Sequence, residues 1–386
     1  MGFESKASFH KGKRGIIARV LKPGDELEKT LARLRDEIDA LDSQILELLN
    51  QRTARTNEVG RVKASGGATP FVPGRELEIF ERLEREAQGP FPKPAIRKVF
   101  REIISASIAG QRGVSVAYLG PPATYTHQAA IQQFGQMADL RPAATTDAIF
   151  AQVESGQVEF GVVPVENSSE GVVSHTLDLF VDSPLTIAAE IHVPIHHDLL
   201  SKSGELRAIR AVHSHPQALA QCRAWLELNL PNAPQQTTHS TAQAAELAAR
   251  NEELAAIASP IAAELYGLRV VHSGIEDRID NTTRFLVIAR EPPRRSSRDI
   301  TSILFSIKRD QVGALYKALE PFYQHGVNLT RIESRPTRVR AWEYVFFCDF
   351  EGHIDDAKVA AAIDELRPRC DFVKVLGSYP EAEAAR

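Results

Sequence analysis

Four polar residues directly precede a short apolar segment in the sequence DNTTRFLVIAR. The apolar segment, 285–289, has the length and composition of a buried strand. In front of it are Asn281, Thr282, Thr283 and Arg284. An amide, two hydroxyls and a guanidinium all donate hydrogen bonds, so these residue types at the start of a strand predict a polar site for a ligand.

Polar residues also collect at four other places where an apolar strand gives way to a helix, at 124–126, 166–169, 213–215 and 240–241. The alternation of short strands and helices here predicts a mostly parallel sheet with helices outside it. In such sheets ligands bind at the carboxyl ends of the strands, and helix N-termini there favour anions. Ordinary helix capping explains any single Ser or Thr more often than a ligand site does, but it explains the cluster ENSSEG less well.

Charged residues interrupt the apolar face of a predicted helix near the start of the chain. Apolar residues recur three and four positions apart up to Leu48, a pattern typical of helices packed together, and the same spacing then reaches Arg52. A guanidinium at a buried position is costly unless an anion meets it. An internal ion pair, or a bend that exposes the helix end, would also satisfy it. A second helix, 93–111, carries Ser107 and Gln111 on its apolar face.

Cationic and polar groups on the inward faces of helices suit a small polyanion. The segments LARLRDEIDALDSQILELLNQR, EVGRVK, RE at 75 and 76, and ISASIAGQ resemble the all-helical chorismate mutase domain of bifunctional chorismate mutase/prephenate dehydratases. The resemblance covers about 31–111 and implies a site lined by Arg35, Arg52, Lys63, Arg75, Glu76, Ser107 and Gln111. It assigns the arginines to the two substrate carboxylates, and Lys63 and Gln111 to the ether oxygen. That oxygen gains negative charge as its bond to carbon breaks, so catalysis consists of binding one conformer and stabilising the charge.

Two features of this segment bear on the mutase site. Arg35 and Lys63 are 28 positions apart on one predicted helix, which is roughly 42 Å at 1.5 Å per residue. We therefore expect Arg35 to come from a partner chain and the site to be shared across a dimer.

The family often has an acidic residue at the position of Val72, where it would contact the substrate hydroxyl. This departure leaves open a weakened mutase whose helices serve for dimerisation.

The middle of the chain, about 115–290, resembles prephenate dehydratase in the segments AYLGPPATYTHQAA, VPVENSSEGVV, SHPQALAQC and NTTRFLVI. That family folds into two lobes like bacterial solute-binding proteins, with the site in the cleft between them. The resemblance makes Thr283 the essential hydroxyl, which protonates or hydrogen-bonds the leaving hydroxyl of prephenate. It also places four further residues in the cleft, namely Glu166, Asn167, Ser214 and Gln221. Arg284 would hold a substrate carboxylate, although the alternation of strand residues leaves an outward orientation equally open.

The end of the chain resembles a small regulatory domain. After the polar linker EPPRRSSRD, the predicted elements follow the order βαββαβ, which is typical of a ferredoxin-like fold. The segments GALYKAL and NLTRIESRP resemble the ACT domain of the same enzymes, in which these motifs bind phenylalanine at a dimer interface. The resemblance assigns this ligand to Gly313, Ala314, Leu315, Asn328, Leu329, Glu333, Ser334, Arg335 and Pro336. A module that serves only dimerisation is the alternative.

Composition bounds these interpretations. The chain has 386 residues and a net charge of −4, which predicts two to four domains and gives no sign of a nucleic-acid or membrane partner. We expect a tail over 1–28, a helical mutase domain over 29–112, a two-lobed dehydratase domain over 114–291 and an ACT domain over 299–380. Three scattered cysteines and a start without an apolar signal segment predict a cytoplasmic protein. Without GxGxxG, GxxxxGK[ST] or clustered metal ligands, we expect no cofactor and no metal.

The sequence therefore predicts a multidomain, homodimeric or larger enzyme of phenylalanine biosynthesis. It would convert chorismate to prephenate, convert prephenate to phenylpyruvate, and be inhibited by phenylalanine. One alternative is an enzyme with dehydratase activity alone. A second is a non-catalytic protein that binds an amino acid or another anion with the same two-lobed fold; Thr283 and the missing signal segment argue against it.

Overall fold

The computed structural model of the chain describes residues 23–65, 73–110, 113–307, 311–336 and 344–382. Val72 and Gln111 lie outside these ranges, and so does the predicted tail as far as residue 22. The backbone of Lys63 is helical, but its side chain is not among the described groups. The chain divides into two compact units, one ending at Arg55 and the other beginning at Thr56.

The first part of the chain is helical, as predicted. Its helices are α1 (Pro23–Ser65), α2 (Pro73–Glu86) and α3 (Lys93–Ala109). Proline stands in the first turn of α2 and of α3, where its missing N–H would have no helical partner. Arg97 of α3 donates to both carboxylate oxygens of Glu84 in α2, at 2.5 and 2.8 Å. The apolar stripe of α1 is between 42 and 57% exposed at Leu34, Ile38, Leu41 and Ile45.

The first lobe of the middle segment is a six-stranded sheet. Its strands are β1 (Ser115–Leu119), β2 (Asp139–Ala143), β3 (Phe160–Asn167), β4 (Gly171–Val172), β5 (Thr186–Pro194) and β11 (Thr282–Ala289). They are ordered β2-β1-β3-β11-β5, with β4 beside β3. The helices of this lobe are α4 (Tyr125–Phe134), α5 (Thr146–Glu154) and α6 (Ser174–Asp182).

The second lobe is a five-stranded sheet ordered β10-β6-β9-β7-β8. Its strands are β6 (Asp198–Ser201), β7 (Ala211–Ser214), β8 (Gln235–Thr237), β9 (Leu254–Ala258) and β10 (Arg269–His272). Its helices are α7 (Pro216–Gln221), α8 (Arg223–Asn229), α9 (Thr241–Arg250) and α10 (Pro260–Tyr266). The chain crosses from the first lobe after β5 and returns to it before β11.

Both sheets are mixed, which corrects the prediction of mostly parallel sheets. β1 pairs in parallel with β2 and β3, and β7 with β8 and β9. In contrast, β11 runs antiparallel to β3 and β5, and β6 runs antiparallel to β9 and β10. The two crossings between the lobes explain this. β6 and β11 each arrive from the other lobe, so each enters its sheet at the edge where the parallel strands end and runs in the opposite direction to them.

The last segment has the predicted βαββαβ order. Its elements are β12 (Asp299–Ile307), α11 (Ala314–Gln324), β13 (Leu329–Pro336), β14 (Tyr344–Glu351), α12 (Ala357–Leu366) and β15 (Cys370–Pro380). The antiparallel sheet has the order β13-β14-β12-β15. Phe305 packs with Phe322 of α11 and Ile363 of α12 on one face. On the other face, Leu304 and Tyr379 belong to one core cluster with Ile187 and Leu286 of the first lobe, so the sheet is packed on both sides.

No helix among the described residues combines the length and the apolar character needed to span a membrane. The three cysteines are buried and make no disulfide.

Candidate active site

An open cleft of about 430 Å³ lies between the two lobes. Thr124, Asn167 and Thr283 line it from the first lobe, and Gln221 and Ser240 line it from the second. Asn167 ends β3, and Thr124 and Ser240 directly precede α4 and α9, so these three stand where the sequence predicted a ligand. Thr283 lies near the start of β11, and Gln221 is the last residue of α7.

Thr283 is the second residue of β11 and lies opposite Asn167 of β3. Asn167 Nδ2 donates a hydrogen bond of 2.8 Å to Thr283 Oγ1. The amide orientation follows from its other end, because Asn167 Oδ1 accepts from the backbone N–H groups of Ser169 and Glu170 at 2.9 and 3.2 Å. Since Oγ1 accepts from Asn167, its own hydrogen is available to a ligand in the cleft.

A row of amides continues from Asn167 into the second lobe. Asn167 Nδ2 also donates to Asn281 Oδ1 at 2.8 Å, and Asn281 Nδ2 donates to Gln221 Oε1 at 3.3 Å. Gln221 Oε1 is 2.8 Å from His197 Nε2. Because Gln221 presents its oxygen to this row, its Nε2 group remains a donor for a ligand in the cleft.

His197 and Tyr125 continue this hydrogen-bonded row beyond Gln221. Burial lowers the pKa of His197, so the neutral ring is favoured, and its Nε2–H then donates to Gln221. The Tyr125 hydroxyl lies 2.9 Å from His197 Nδ1 and 2.7 Å from the His196 carbonyl oxygen. In this tautomer both atoms are acceptors, so the single hydroxyl hydrogen is shared between them. Burial raises the pKa of Tyr125 well above its ordinary value, so this hydroxyl stays protonated. Sequence reasoning missed His197 and Tyr125 as a pair, because it offers no way to pair residues 72 positions apart.

Two helices of 10 residues begin at the cleft, α4 from the first lobe and α9 from the second. Thr124 caps α4 by accepting from His127 N at 3.3 Å, and Ser240 caps α9 by accepting from Gln243 N at 3.0 Å. Each cap satisfies one of the first N–H groups and leaves others for a ligand. The cleft-lining residues of the described chain include no lysine and no arginine. The positive helix ends and the polar donors that line the cleft therefore supply favourable contacts for an anion.

Three residues predicted for the cleft are placed elsewhere by the structure. Ser214 is buried and donates to the Ile257 carbonyl of β9 at 2.6 Å. Glu166 forms an ion pair with Arg331 of β13. Arg284, predicted as a carboxylate ligand, faces away from the cleft, because strand residues alternate and Thr283 faces into it.

Arg284 instead binds carboxylates of the protein. Its Nε donates to Glu190 and its Nη1 to Asp349, each at 2.8 Å, and its Nη2 donates to the Tyr379 hydroxyl at 3.1 Å. Burial alone would lower the pKa of Arg284, but Tyr379, Asp349 and Glu190 together raise it above its ordinary value. The guanidinium is thus charged and fully engaged at the junction with the C-terminal segment.

The predicted mutase residues occupy different environments. In the first unit, Arg35 is exposed and Arg52 is partly buried. In the second unit, Arg75 is exposed and pairs with Glu78, whereas Ser107 is buried and donates to the Ile103 carbonyl at 2.7 Å.

Glu76 is a predicted mutase residue with a buried carboxyl group, since only 7% of it is exposed. Burial raises the pKa of this carboxyl to about 7, although the positive charge of Arg101 acts in the opposite direction. Lys63 and Gln111, the predicted partners of the ether oxygen, have no described side chain.

The residues predicted to bind phenylalanine lie around the start of α11 and along β13. Gly313 precedes α11 with a left-handed backbone, at φ +74°, and Ala314 and Leu315 begin the helix. Asn328 Nδ2 donates to Glu351 Oε1 at 2.9 Å, just before β13 begins at Leu329. Farther along the strand, Glu333 is partly buried and Ser334 is exposed. Arg335 reaches the first lobe, where it contacts Ser174 and Asp178.

Three family models match successive parts of the chain. Those described as chorismate mutase type II, prephenate dehydratase and ACT domain match residues 34–112, 116–293 and 301–368. The bifunctional chorismate mutase/prephenate dehydratase of Aquifex aeolicus (strain VF5) is 49% identical over 356 residues, which cover 91% of this chain and 98% of that protein.

Two solved structures have the same fold over 69% of this chain. A prephenate dehydratase from Arthrobacter aurescens, in complex with L-Phe, is 37% identical, with a TM-score of 0.64 and 90% of its own chain covered. A structure described as GqqA, a novel type of quorum quenching acylase, is 33% identical, with a TM-score of 0.64 and 98% of its chain covered.

Proposed function

The chain belongs to the family of bifunctional chorismate mutase/prephenate dehydratases, and from this premise we propose which of its residues carry each reaction. It is a chorismate mutase and a prephenate dehydratase with a C-terminal ACT domain. The relative that is 49% identical extends over nearly the whole chain, so its two activities, rather than the acylase name, guide the assignment.

Dehydration of prephenate breaks two bonds. The ring carboxylate leaves as carbon dioxide, its bonding electrons enter the ring, and the ring hydroxyl leaves with the electron pair of its C–O bond. One proton joins that oxygen to form water, and phenylpyruvate remains. The enzyme must therefore supply a hydrogen-bond donor to the departing oxygen and hold two carboxylates in place.

Thr283 is the proposed donor to the departing oxygen. The observation that carries this assignment is the 2.8 Å hydrogen bond from Asn167 Nδ2 to Thr283 Oγ1 inside the cleft. A threonine hydroxyl is a poor acid by itself. The bond from Asn167 stabilises developing negative charge on Oγ1, and the departing oxygen becomes more basic as its bond to carbon lengthens, so both changes favour transfer toward the substrate.

The two carboxylates of prephenate are assigned to the two lobes. The N-termini of α4 and α9 begin at opposite sides of the cleft, and each offers backbone N–H groups with the favourable end of a helix dipole. Gln221 Nε2 is a further donor from the second lobe. A dianion held between two positive helix ends would draw the lobes together around it.

The mutase reaction is assigned to the residues carried by the helical segment, namely Arg35, Arg52, Lys63, Arg75, Glu76, Ser107 and Gln111. Arg35 would come from the second chain of a homodimer. The exposed apolar stripe of α1 supports this, because four large aliphatic residues on one helix face are better accommodated in contact with another copy than with water. The proposed domains are 29–112 for the mutase, 114–291 for the dehydratase and 299–380 for the ACT domain.

Phenylalanine would bind the ACT domain at Gly313, Ala314, Leu315, Asn328, Leu329, Glu333, Ser334 and Arg335, and inhibit the dehydratase from there. The related dehydratase in complex with L-Phe supports the identity of the ligand. A cytoplasmic location fits three buried cysteines that are all unpaired.

Separate feeding of the two substrates tests the function. Purified chain should form phenylpyruvate from prephenate and also from chorismate. Formation from prephenate alone would favour the dehydratase with an inactive helical domain, which Val72 leaves open. Formation from neither substrate would favour a binding protein and contradict the proposal.

A further inference from the structure

Four charged residues form two cross-strand pairs on facing sheets. Arg284 of β11 lies in register with Glu166 of β3 in the first lobe, and Arg331 of β13 lies in register with Asp349 of β14 in the ACT domain. The two pairs are joined across the junction: Arg284 Nη1 is 2.8 Å from Asp349 Oδ2, and Arg331 Nη2 is 3.1 Å from Glu166 Oε2. We call these four residues the charge square.

Arg284 and Glu166 of the charge square lie on the opposite face of β11 and β3 from Thr283 and Asn167, which we call the catalytic pair. Arg284 follows Thr283 and Glu166 precedes Asn167, and Thr283 and Asn167 are themselves in register and hydrogen-bonded. Because consecutive strand residues face opposite ways, the same two strands present the catalytic pair to the cleft and the charge square to the ACT domain. A shift of either strand end therefore moves both sets of side chains.

The Arg284 corner of the square is tightly held. The side chains of Arg284 and Asp349 are 13 and 9% exposed, and Ser302 donates to the second oxygen of Asp349 at 2.5 Å. Glu190 and Tyr379 occupy the remaining nitrogens of the guanidinium. A buried cation with this many charge-assisted bonds has one favourable position, so the two sheets move together at this corner.

The ACT side of the square shares the strand β13 with part of the proposed phenylalanine site. Arg331 stands two residues after Leu329 and two before Glu333, on the strand β13. We propose that the charge square couples phenylalanine binding in the ACT domain to the dehydratase site, with Arg284 acting as a positioning residue for Thr283. This inference rests on the proposed function, because it needs both Thr283 as the catalytic hydroxyl and phenylalanine as the ligand of the ACT domain.

A second cationic tie at the same junction supplies a matched control. Lys374 of β15 donates to the carbonyl oxygens of Phe180, Val181 and Ser183 at 2.8, 3.1 and 2.6 Å. It joins the ACT sheet to the end of α6, and among the described residues its hydrogen bonds reach neither β3 nor β11. Lys374→Met therefore removes a cation from the junction without touching the charge square.

The test measures phenylalanine binding and phenylalanine inhibition separately in the full chain. Calorimetry gives the affinity for phenylalanine, and dehydratase assays give the apparent prephenate affinity with and without saturating phenylalanine. Phenylalanine should still bind to Arg331→Met, Asp349→Asn and Arg284→Lys. The factor by which phenylalanine changes the apparent prephenate affinity should be at least fivefold smaller than in the unaltered chain, and fivefold is the lower end of ordinary allosteric coupling. Lys374→Met should keep the coupling of the unaltered chain.

Three results would overturn the proposal. The first is unaltered coupling in both Arg331→Met and Asp349→Asn, which carry the test if Arg284→Lys does not fold. The second is an equal loss in Lys374→Met, which would mark a general weakening of the junction. The third is loss of phenylalanine binding itself in the square variants, which would make these residues part of the ligand site. Failure of the proposed function looks different, because the unaltered chain would then lack dehydration or inhibition.

Discussion

Thr283 and Arg284 are consecutive residues of one strand whose side chains serve opposite sides of its sheet. Thr283 Oγ1 accepts a hydrogen bond from Asn167 in the cleft, and the Arg284 guanidinium reaches Asp349 in the C-terminal domain. The polar residues at the head of a buried strand thus have two separate tasks. In our proposal the hydroxyl serves dehydration, whereas the guanidinium lies at the junction between the first lobe and the ACT domain.

Replacement of His197 should weaken prephenate binding more than it slows the chemical step. His197→Phe removes the donor that fixes Gln221 Oε1 at 2.8 Å, so Gln221 can turn away from the cleft. Loss of one such hydrogen bond is worth ~1 kcal/mol, which predicts a rise in KM of roughly 2–10-fold with a smaller change in kcat. Steady-state kinetics measure both. His196→Gln, at the next position, is the control and should leave KM within about twofold; a similar KM in all three proteins would contradict the role of His197.

Glu76 should make the stability of the protein depend on pH. Burial raises its pKa from 4.5 to about 7. Between these values the unfolded chain releases the proton while the folded chain keeps it, so the free energy of unfolding falls as pH rises through this window. The gap corresponds to a loss of ~3 kcal/mol above pH 7.

Glu76→Gln should remove this dependence. Urea unfolding at pH 5 and pH 8 measures it, and the variant should be the more stable protein at pH 8. Glu78→Gln, on the same helix but exposed, controls for the loss of one negative charge. A pH profile of Glu76→Gln that matches the unaltered chain would show that Glu76 is ionised in the folded state.

Mixed dimers should recover mutase activity from two inactive variants. Arg35→Ala and Lys63→Ala each damage both sites of their own homodimer. If Arg35 acts in the partner's site, a mixed dimer has one site with both lesions and one with neither. Equal mixing should then restore up to about a quarter of the unaltered activity, since half of the dimers are mixed and each has one intact site. No recovery after proven subunit exchange would place Arg35 and Lys63 in the same site.

Gly313→Val should abolish inhibition by phenylalanine and spare dehydration. Gly313 has φ +74° at the start of α11, where a β-branched residue is strained and its side chain would occupy the space proposed for the ligand. Gly326, at the other end of the same helix, has φ +63° and no atom within 4 Å of an added Cβ. Gly326→Val therefore imposes similar strain away from the ligand. Dehydratase assays with phenylalanine should show inhibition only in the control, and equal inhibition in both variants would move the ligand site elsewhere.

Motifs predicted the domain order, which the three family models confirm. They also singled out Asn167 and Thr283, which the structure brings together in the cleft, because both residues lie in short segments whose meaning is local. They could not predict the partners of Arg284, since Glu190, Asp349 and Tyr379 are 94, 65 and 95 positions away. A strand buried on both faces carries polar residues for either side, and the residue types alone do not tell which side holds the substrate. The antiparallel entry of β11 likewise depends on the second crossing between lobes, for which local sequence has no signal.

The packing of the ACT sheet was also beyond sequence reasoning. Leu304 and Tyr379 share a core with Ile187 and Leu286 of the first lobe, whereas the polar linker EPPRRSSRD indicated a separate module. Removal of the C-terminal domain would therefore expose part of the dehydratase core, and single substitutions such as Gly313→Val are the cleaner test of its role.

The most direct test of the account is to replace Thr283 and follow both reactions in the same protein. Thr283→Val keeps the shape of the side chain without its hydroxyl, and Thr283→Ser keeps the hydroxyl without the methyl group. With valine, formation of phenylpyruvate from prephenate should fall roughly 10²–10⁴-fold, the usual contribution of a positioned proton donor, while consumption of chorismate is unaltered. Serine should retain most of the rate. Dehydration by Thr283→Val at a rate close to that of the unaltered chain would contradict the assignment of the catalytic hydroxyl.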